Sequence, residues 1–120
     1  MTYITGIDHV QLAMPVGAEE LARAFYGGVL GLEEVAKPQL LAVRGGVWFL
    51  CGGAQLHLGA DPDFKAAKKA HPALLVHDFG ALAQSLQAKG IAVTPAEMVG
   101  GRERATVSDP FGNRVELIQA

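Results

Sequence analysis

The chain repeats one order of elements twice within 120 residues. Each half of the sequence opens with a short apolar strand, continues into a helix and ends in a group of short strands. The first half runs from "GIDHVQLAMP" to "QLHLG", and the second runs from "HPALLVH" to "RVELIQ". This duplication predicts an α+β fold of tandem βαβββ modules, whose strands form a curled mixed sheet around a cleft. We expect one domain over residues 1–120, with module 1 at about 1–59 and module 2 at about 70–120.

Periodicity and turn residues place the elements within each module. The segment "GAEELARAFYGGVLGL" is a predicted helix that ends near Gly27 and Gly28. Its apolar residues at helical spacing are Leu21, Ala24, Phe25 and Val29. The strands predicted after it are "LEEVAK", "LLAVR", "VWFLCGG" and "QLHLG". In module 2, Asp78 and Gly90 bound a predicted helix, and the strands "IAVTPA", "RERATVS" and "RVELIQ" follow it, the last two joined by the turn "DPFGN".

Composition narrows the classes of partner. Charged residues make up 18% of the chain and the formal net charge is −2, which gives no electrostatic basis for binding nucleic acid or an anionic membrane. No apolar stretch approaches the roughly 20 residues of a membrane span, and "MTYITGIDHV" does not resemble a secretory signal. Cys51 is the single cysteine, so an internal disulfide is excluded. We therefore expect a cytoplasmic globular protein whose partner is a small-molecule substrate.

Residues able to bind a metal ion recur at equivalent positions of the two halves. His9 and His71 lie on the first strand of their halves, whereas His57 and Glu116 lie on the last strand, each four residues after a glycine. Strand alternation turns all four away from the most regular hydrophobic row of their strands. Burying Glu116 without compensation would be costly, so we expect it to face water, to pair with a cation or to bind a metal.

Polar residues that share a strand face with these positions are the candidates for substrate binding: Gln11, Gln55, Arg104 and Arg114. Arg114 lies two residues before Glu116, and Arg104 alternates with hydroxyl residues on the preceding strand. If this face lines the cleft, the two arginines can hold an anionic substrate. The alternative, which applies above all to Arg102, is a surface arginine paired with Glu103 or Glu116.

Five segments together carry a resemblance to a known family. They are "IDHVQLAMP", "AFYGGVLGLEEV", "QLHLG", "AHPALLVHD" and "DPFGNRVELIQ", in this order and over nearly the whole chain. With them the sequence resembles the vicinal oxygen chelate superfamily, which includes glyoxalase I, bleomycin-resistance proteins, fosfomycin-resistance enzymes, methylmalonyl-CoA epimerases and extradiol dioxygenases. The resemblance implies paired βαβββ modules with a divalent metal ion in the cleft.

The resemblance also implies the metal ligands. The ligands of bacterial glyoxalase I-like members fall on His9, His57, His71 and Glu116 of this chain. His57 departs from the pattern, because glyoxalase I has glutamate there and epimerases commonly have glutamine. Three imidazoles and one carboxylate suit Zn, Ni, Co, Mn or Fe. The two-histidine, one-glutamate set of the superfamily's dioxygenases corresponds to His9, His71 and Glu116, with His57 left as an acid or base.

These implications predict a metalloenzyme whose ion chelates adjacent oxygens of a small substrate while Glu116 or His57 moves a proton. Lyase or isomerase chemistry is the first expectation. Ring-cleaving dioxygenation is the alternative, and a metal-free protein that sequesters a drug or another small molecule is a third. Family members of this length are usually twofold dimers, so a homodimer is expected, with the cleft built within one chain or across two.

Overall fold

The computed structural model describes residues 2–120. The chain forms two compact units, one extending to Lys65 and the other covering Ala66–Ala120. Each unit contains one four-stranded mixed sheet. Among residues 2–120, none of the helices has the length and apolar character that crossing a membrane requires.

The first unit contains four strands and three helical segments. Its elements are β1 (His9–Met14), α1 (Glu19–Ala22), a π-helix (Arg23–Val29), β2 (Glu34–Val35), α2 (Gln39–Ala42), β3 (Val47–Cys51) and β4 (Ala54–Ala60). The strand order across the sheet is β1-β4-β3-β2. Strands β1 and β4 are parallel, and the other neighbours are antiparallel.

The second unit repeats this topology with one long helix. Its elements are β5 (Ala73–Val76), α3 (Phe79–Ala88), β6 (Thr94–Val99), β7 (Arg102–Ser108) and β8 (Arg114–Gln119). The strand order is β5-β8-β7-β6, with β5 and β8 parallel and the other pairs antiparallel. The predicted α+β fold of two βαβββ modules with mixed sheets is therefore confirmed.

The two parallel pairs also share one register. Gln11 on β1 pairs with His57 on β4, and Ala73 on β5 pairs with Glu116 on β8. His9 lies two residues before Gln11, and His71 lies two residues before Ala73. The internal repeat seen in the sequence thus extends to which residues are neighbours across the strands.

Each sheet buries one row of large apolar side chains. The fully buried ones include Met14, Tyr26, Phe49, Leu56 and Leu58 in the first unit, and Leu86 and Val115 in the second. Burying each such side chain contributes about 1.5–3 kcal/mol, so these rows hold the helices against the sheets. The opposite sheet faces are left to carry the polar residues predicted to form the site.

The first helix differs from its prediction. It ends at Val29, one residue beyond Gly28 and so near the predicted end, but its second part is a π-helix, in which the Leu30 N–H donates to the Phe25 carbonyl oxygen at 2.8 Å. The wider turn lets the adjacent residues Phe25 and Tyr26 both reach the core, which the 3.6-residue spacing does not predict. Leu21, expected on the buried face, is 57% exposed.

The segment "LLAVR", predicted to be a strand, instead contains α2. The chain turns at Pro38, whose carbonyl oxygen accepts hydrogen bonds from the N–H groups of Leu41 and Ala42. The preceding strand β2 has only two residues, so no long edge is available for a further strand. Leu40 and Val43 are consequently exposed, at 88% and 90%.

The predicted ends of α3 are confirmed. Asp78 is its N-cap and accepts a hydrogen bond from the Ala81 N–H at 3.1 Å. Gly90 follows the helix with φ of +76°, a conformation that favours glycine. The predicted turn between β7 and β8 is also present, because Asp109 Oδ1 accepts from the N–H groups of Phe111 and Asn113 at 2.9 and 2.8 Å.

Candidate functional site

Three aromatic rings stack across the sheet of the first unit. Trp48 on β3 pairs in register with His57 on β4, and their ring centroids are 3.9 Å apart with the planes 1° from parallel. His9 on β1 stacks on His57 at 4.3 Å and 14°. The imidazole of His57 is therefore held in place by contacts between neighbouring strands.

His57 is a neutral imidazole with one nitrogen available. It is 4% exposed, and its Nε2 lies 2.9 Å from Gln55 Oε1. Because an amide oxygen only accepts, Nε2 carries the proton and the lone pair is on Nδ1. Burial lowers the pKa of His57, and the neighbouring His9 lowers it further, so the ring is uncharged at neutral pH.

The stacking limits how His9 and His57 can bind a metal. A metal ion bound to imidazole lies close to the ring plane, along the nitrogen lone pair. The planes of the two rings are nearly parallel and their centroids are 4.3 Å apart. One ion cannot lie in both planes, so in this arrangement only one of the two histidines can be a ligand to it.

His9 has the orientation that is usual for a metal-ligating histidine. Its Nδ1 lies 2.8 Å from Asp8 Oδ2, and the carboxylate accepts the Nδ1 proton. The lone pair of the neutral ring is consequently on Nε2. Carboxylate–histidine pairs of this kind fix the tautomer and raise the basicity of the ligand.

In the second unit, Glu116 lies between the side chains of Arg104 and His71. The Arg104 Nε donates to its Oε2 at 2.8 Å, and His71 Nε2 lies 3.2 Å from its Oε1. Glu116 is 7% exposed, and the hydrogen bond from Arg104 holds the pKa of its carboxyl below the usual range. The carboxylate on β8 is thus buried, ionised and paired with a cation.

The His71–Glu116 pair passes a geometric test for a metal ion. His71 Nδ1 donates to the Lys69 carbonyl oxygen at 2.9 Å, so the lone pair of the neutral ring is on Nε2 and faces Glu116 Oε1. Two lone pairs that face each other need a proton or a cation between them. Two donors 3.2 Å apart, each about 2.1 Å from an ion, would subtend about 100°, which suits a tetrahedral or octahedral metal.

The four predicted metal ligands are therefore distributed as two pairs. The first unit holds the stacked pair His9 and His57, and the second unit holds the facing pair His71 and Glu116. Among the described residues 2–120, no group of three or more histidine, cysteine, aspartate or glutamate side chains that could hold a metal ion is found.

The predicted substrate-binding residues have different surroundings. Arg104 uses Nε for Glu116 and Nη1 for the Glu97 carbonyl oxygen, so it holds the carboxylate in place. Arg114 lines a cavity of about 470 Å³ whose polar lining is completed by Thr94, Thr106 and Ser108.

The remaining polar candidates are partly engaged within the first unit. Gln55 holds His57, and the amide of Gln11 lies over Gly59, where an added Cβ would be 2.7 Å from its Nε2. Arg102, for which a pair with Glu103 or Glu116 was the alternative, donates instead to the Gln119 carbonyl oxygen at 2.8 Å.

The groups that orient the histidines were not predicted from the sequence. Asp8 precedes His9 directly, and this acidic neighbour was the available signal. The backbone carbonyl of Lys69 leaves no such signal, because any residue supplies one.

Comparisons with known proteins agree over nearly the full length. The family model described as "Glyoxalase/Bleomycin resistance protein/Dioxygenase superfamily" matches residues 6–117. The chain is similar to the crystal structure of a glyoxalase family protein from Bacillus anthracis, with 49% identity, a TM-score of 0.96 and coverage of 99% of this chain and 98% of that one. No curated protein matches the sequence.

Two further structures share the fold at lower identity. Lactoylglutathione lyase from Agrobacterium tumefaciens is 24% identical, with a TM-score of 0.76 and coverage of 99% and 96%. TnmS3, an antibiotic binding protein from Streptomyces sp. CB03234, is 25% identical, with a TM-score of 0.72 and coverage of 99% and 98%.

Proposed function

Since the chain belongs to the glyoxalase/bleomycin resistance protein/dioxygenase superfamily, we propose that it is a metal-dependent enzyme that acts on a small oxygenated substrate by lyase or isomerase chemistry. The observation that supports this most directly is the facing pair His71 and Glu116, whose donor atoms are 3.2 Å apart. Both side chains are oriented by further hydrogen bonds, from His71 to Lys69 and from Arg104 to Glu116.

We propose His71, Glu116 and His9 as the ligands of one divalent ion, with His9 supplied by the same chain or by a second copy. Each of these histidines has its Nδ1 proton held by an oxygen, which leaves Nε2 for a metal. His57 is left out of the set because it stacks on His9. The proposal thus narrows the four ligands predicted from the sequence to three.

When bound, a divalent ion would polarise two adjacent oxygens of the substrate and favour loss of a neighbouring proton. His57 is the side chain that we propose as the base. Its ring is neutral at pH 7, and its Nδ1 lone pair is not used by Gln55. Stacking on Trp48 holds the ring in one orientation. Glu116 is the poorer base, since Arg104 stabilises its ionised form.

A ring-cleaving dioxygenase is the second candidate. The narrowed set of two histidines and one carboxylate is the ligand type of non-haem Fe(II) oxygenases. The two candidates differ in their metal and in their need for oxygen. Fe(II)-specific, oxygen-consuming activity would favour the dioxygenase, whereas activity with Ni, Co, Mn or Zn in anaerobic solution would favour the lyase or isomerase.

The metal site is tested by comparing two histidine variants that are six positions apart in sequence. His71→Gln should reduce divalent metal affinity by at least tenfold, because the Nε2 lone pair is lost. His77→Gln should leave the affinity unchanged, since His77 is exposed and has no place in the proposed site. Metal content after purification and isothermal titration with Zn, Ni, Mn and Fe measure the effect. Equal affinities of the two variants would refute the role of His71.

We also propose a homodimer in the cytoplasm. The edge strands β1 and β5 carry the exposed apolar residues Val10 and Leu75, and Ile7 precedes β1 with 70% exposure. Unpaired edges with apolar side chains favour association with a second copy. The pKa of the Cys51 thiol is raised by burial, which suits a structural cysteine in a reducing compartment.

A further inference from the structure

A hollow in the first unit is lined by Trp48. Its volume is about 190 Å³. The residues that matter for its chemistry are Gln11, Lys37, Leu41, Arg44 and Trp48. All of them belong to the unit that ends at Lys65, so the hollow can be considered within that unit alone.

Two glycines, Gly45 and Gly59, line the hollow, so part of its surface is backbone. Gly45 has φ of +73°, a conformation that favours glycine, and an added Cβ would lie 3.1 Å from Glu19 Oε2. An added Cβ on Gly59 would lie 2.7 Å from Gln11 Nε2, so a side chain at either position would displace its neighbours.

Two cations line the hollow. The Lys37 ammonium donates to the Gly45 carbonyl oxygen, which positions it at one side. Among residues 2–120, the Arg44 guanidinium has no hydrogen-bond or ion-pair partner. The nearby carboxylate of Glu19 accepts the Gly46 N–H at 2.9 Å, and no salt bridge within 4.0 Å joins it to either cation in the described chain. An arginine without a partner beside a lysine makes a binding site for an anion.

The hollow also presents an aromatic ring. The indole of Trp48 lines it and is fixed by parallel stacking on His57 at 3.9 Å. Leu41 contributes aliphatic surface, whereas Leu58 is fully buried. An anion that also carries a flat apolar group can therefore contact the indole and Leu41 together with the cations.

We propose that this hollow binds a small aromatic carboxylic acid, with the carboxylate on the fork of Arg44 and near Lys37, and with the ring beside Trp48. The amide of Gln11, which also lines the hollow, adds a polar contact. A volume of about 190 Å³ is smaller than the 300–1,000 Å³ of sites for drug-sized ligands, so a single-ring acid is the matching size. The proposal goes beyond the proposed function and needs no metal ion.

Trp48 is the single tryptophan of the chain, so its fluorescence reports on this hollow directly. Full-length protein in the presence of a chelator is titrated with benzoate, and with benzamide as the uncharged probe of the same shape. We expect a saturable change of Trp48 emission with benzoate and a response to benzamide at least tenfold weaker. Arg44→Gln should weaken benzoate binding by about tenfold or more, which corresponds to 1.4 kcal/mol. Lys89→Gln, which removes a cation of the second unit, is the matched control and should bind benzoate as the parent does.

Three results would overturn the proposal. Equal responses to benzoate and benzamide would show that charge is not recognised. If Arg44→Gln binds benzoate with unchanged affinity and circular dichroism shows that the variant is folded, then the anion does not bind in this hollow. Loss of binding in Arg114→Gln instead of Arg44→Gln would place the acid in the second unit. Since the chelator removes metal ions, failure of the metal site would leave these titrations unaffected.

Discussion

At the scale of single residues, the hydrogen bonds of three histidines decide what each can do. Asp8 and the Lys69 carbonyl accept hydrogen bonds from Nδ1 of His9 and His71, whereas Gln55 accepts one from Nε2 of His57. The first two rings thus present Nε2, and the third presents Nδ1. This difference separates the histidines proposed as ligands from the one proposed as a base.

The assignment of His57 as a base, and of His9 and His71 as ligands, predicts how His57→Gln behaves. Because His57 stacks on His9 and is not in the proposed ligand set, the variant should keep its affinity for divalent metal within about threefold of the parent. Catalysis, once a substrate is identified, should fall by about 100-fold or more, as expected for loss of a general base. Isothermal titration measures the first effect. A loss of affinity as large as that of His71→Gln would restore the four-ligand site predicted from the sequence.

The sequence predicts which residues form much of the candidate site, but it does not predict the contacts that their side chains make. The repeat identifies His9, His57, His71 and Glu116, because equivalent positions of a duplicated unit face the same way. The ion pair of Arg104 with Glu116 depends on a diagonal contact between β7 and β8, and long side chains reach several such neighbours. Arg104 was accordingly expected at the substrate and is found holding the carboxylate.

At the scale of elements, a carboxylate connects α1 to the loop before β3. Glu19 Oε2 accepts the Gly46 N–H at 2.9 Å. This hydrogen bond is the main cause of the lowered pKa of Glu19, with further lowering by Arg23 and Lys37. A folded-state pKa below the unfolded value means that the ionised carboxylate stabilises the fold above the unfolded pKa and loses this effect as the pH falls through the folded pKa.

Glu19→Gln should therefore destabilise the protein at pH 7 by about 0.5–1 kcal/mol, after allowance for solvent screening. The difference in thermal midpoint between parent and variant should be complete above the ordinary pKa of 4.5 and should shrink as the pH is lowered towards 3. Glu103→Gln, at an exposed position of β7, is the control. A difference that stays constant from pH 7 to pH 3 would show that the charge of Glu19 is not involved.

The elements differ in how far the sequence predicts them. Alternation and turn residues locate the strands of both sheets and the ends of α3, since these signals are local. The run "LLAVR" is apolar but short, and such a run does not distinguish a strand from a helical turn. The π-helix depends on packing of Phe25 and Tyr26 together against the sheet, which is a tertiary effect.

At the scale of the whole molecule, duplication supplies two similar units with different chemistry. The shared register places His57 and Glu116 at equivalent points of their sheets. At this equivalent point the first unit carries an imidazole and the second a carboxylate. The proposed ligand set accordingly takes His9 from the first unit and His71 and Glu116 from the second.

For the whole molecule we also predict a homodimer. Val10 on β1 and Leu75 on β5 are 38% and 69% exposed on edge strands, and a second copy would cover them. Light scattering coupled to size exclusion should give twice the chain mass of 12.6 kDa at micromolar concentration. Leu75→Lys should shift the distribution towards monomer, whereas Lys89→Gln should not. A stable monomer of the parent protein would refute the prediction.

The most direct test of the proposed metal site is a titration of Glu116→Gln against the parent with Zn, Ni, Mn and Fe under identical conditions. The substitution keeps the size of the side chain and removes the buried negative charge. Metal affinity should fall by at least tenfold, while Glu103→Gln binds as the parent does. Thermal denaturation should confirm that the variant remains folded. Equal affinities of parent and Glu116→Gln for every ion would contradict the account and leave Glu116 with a purely structural role as the partner of Arg104.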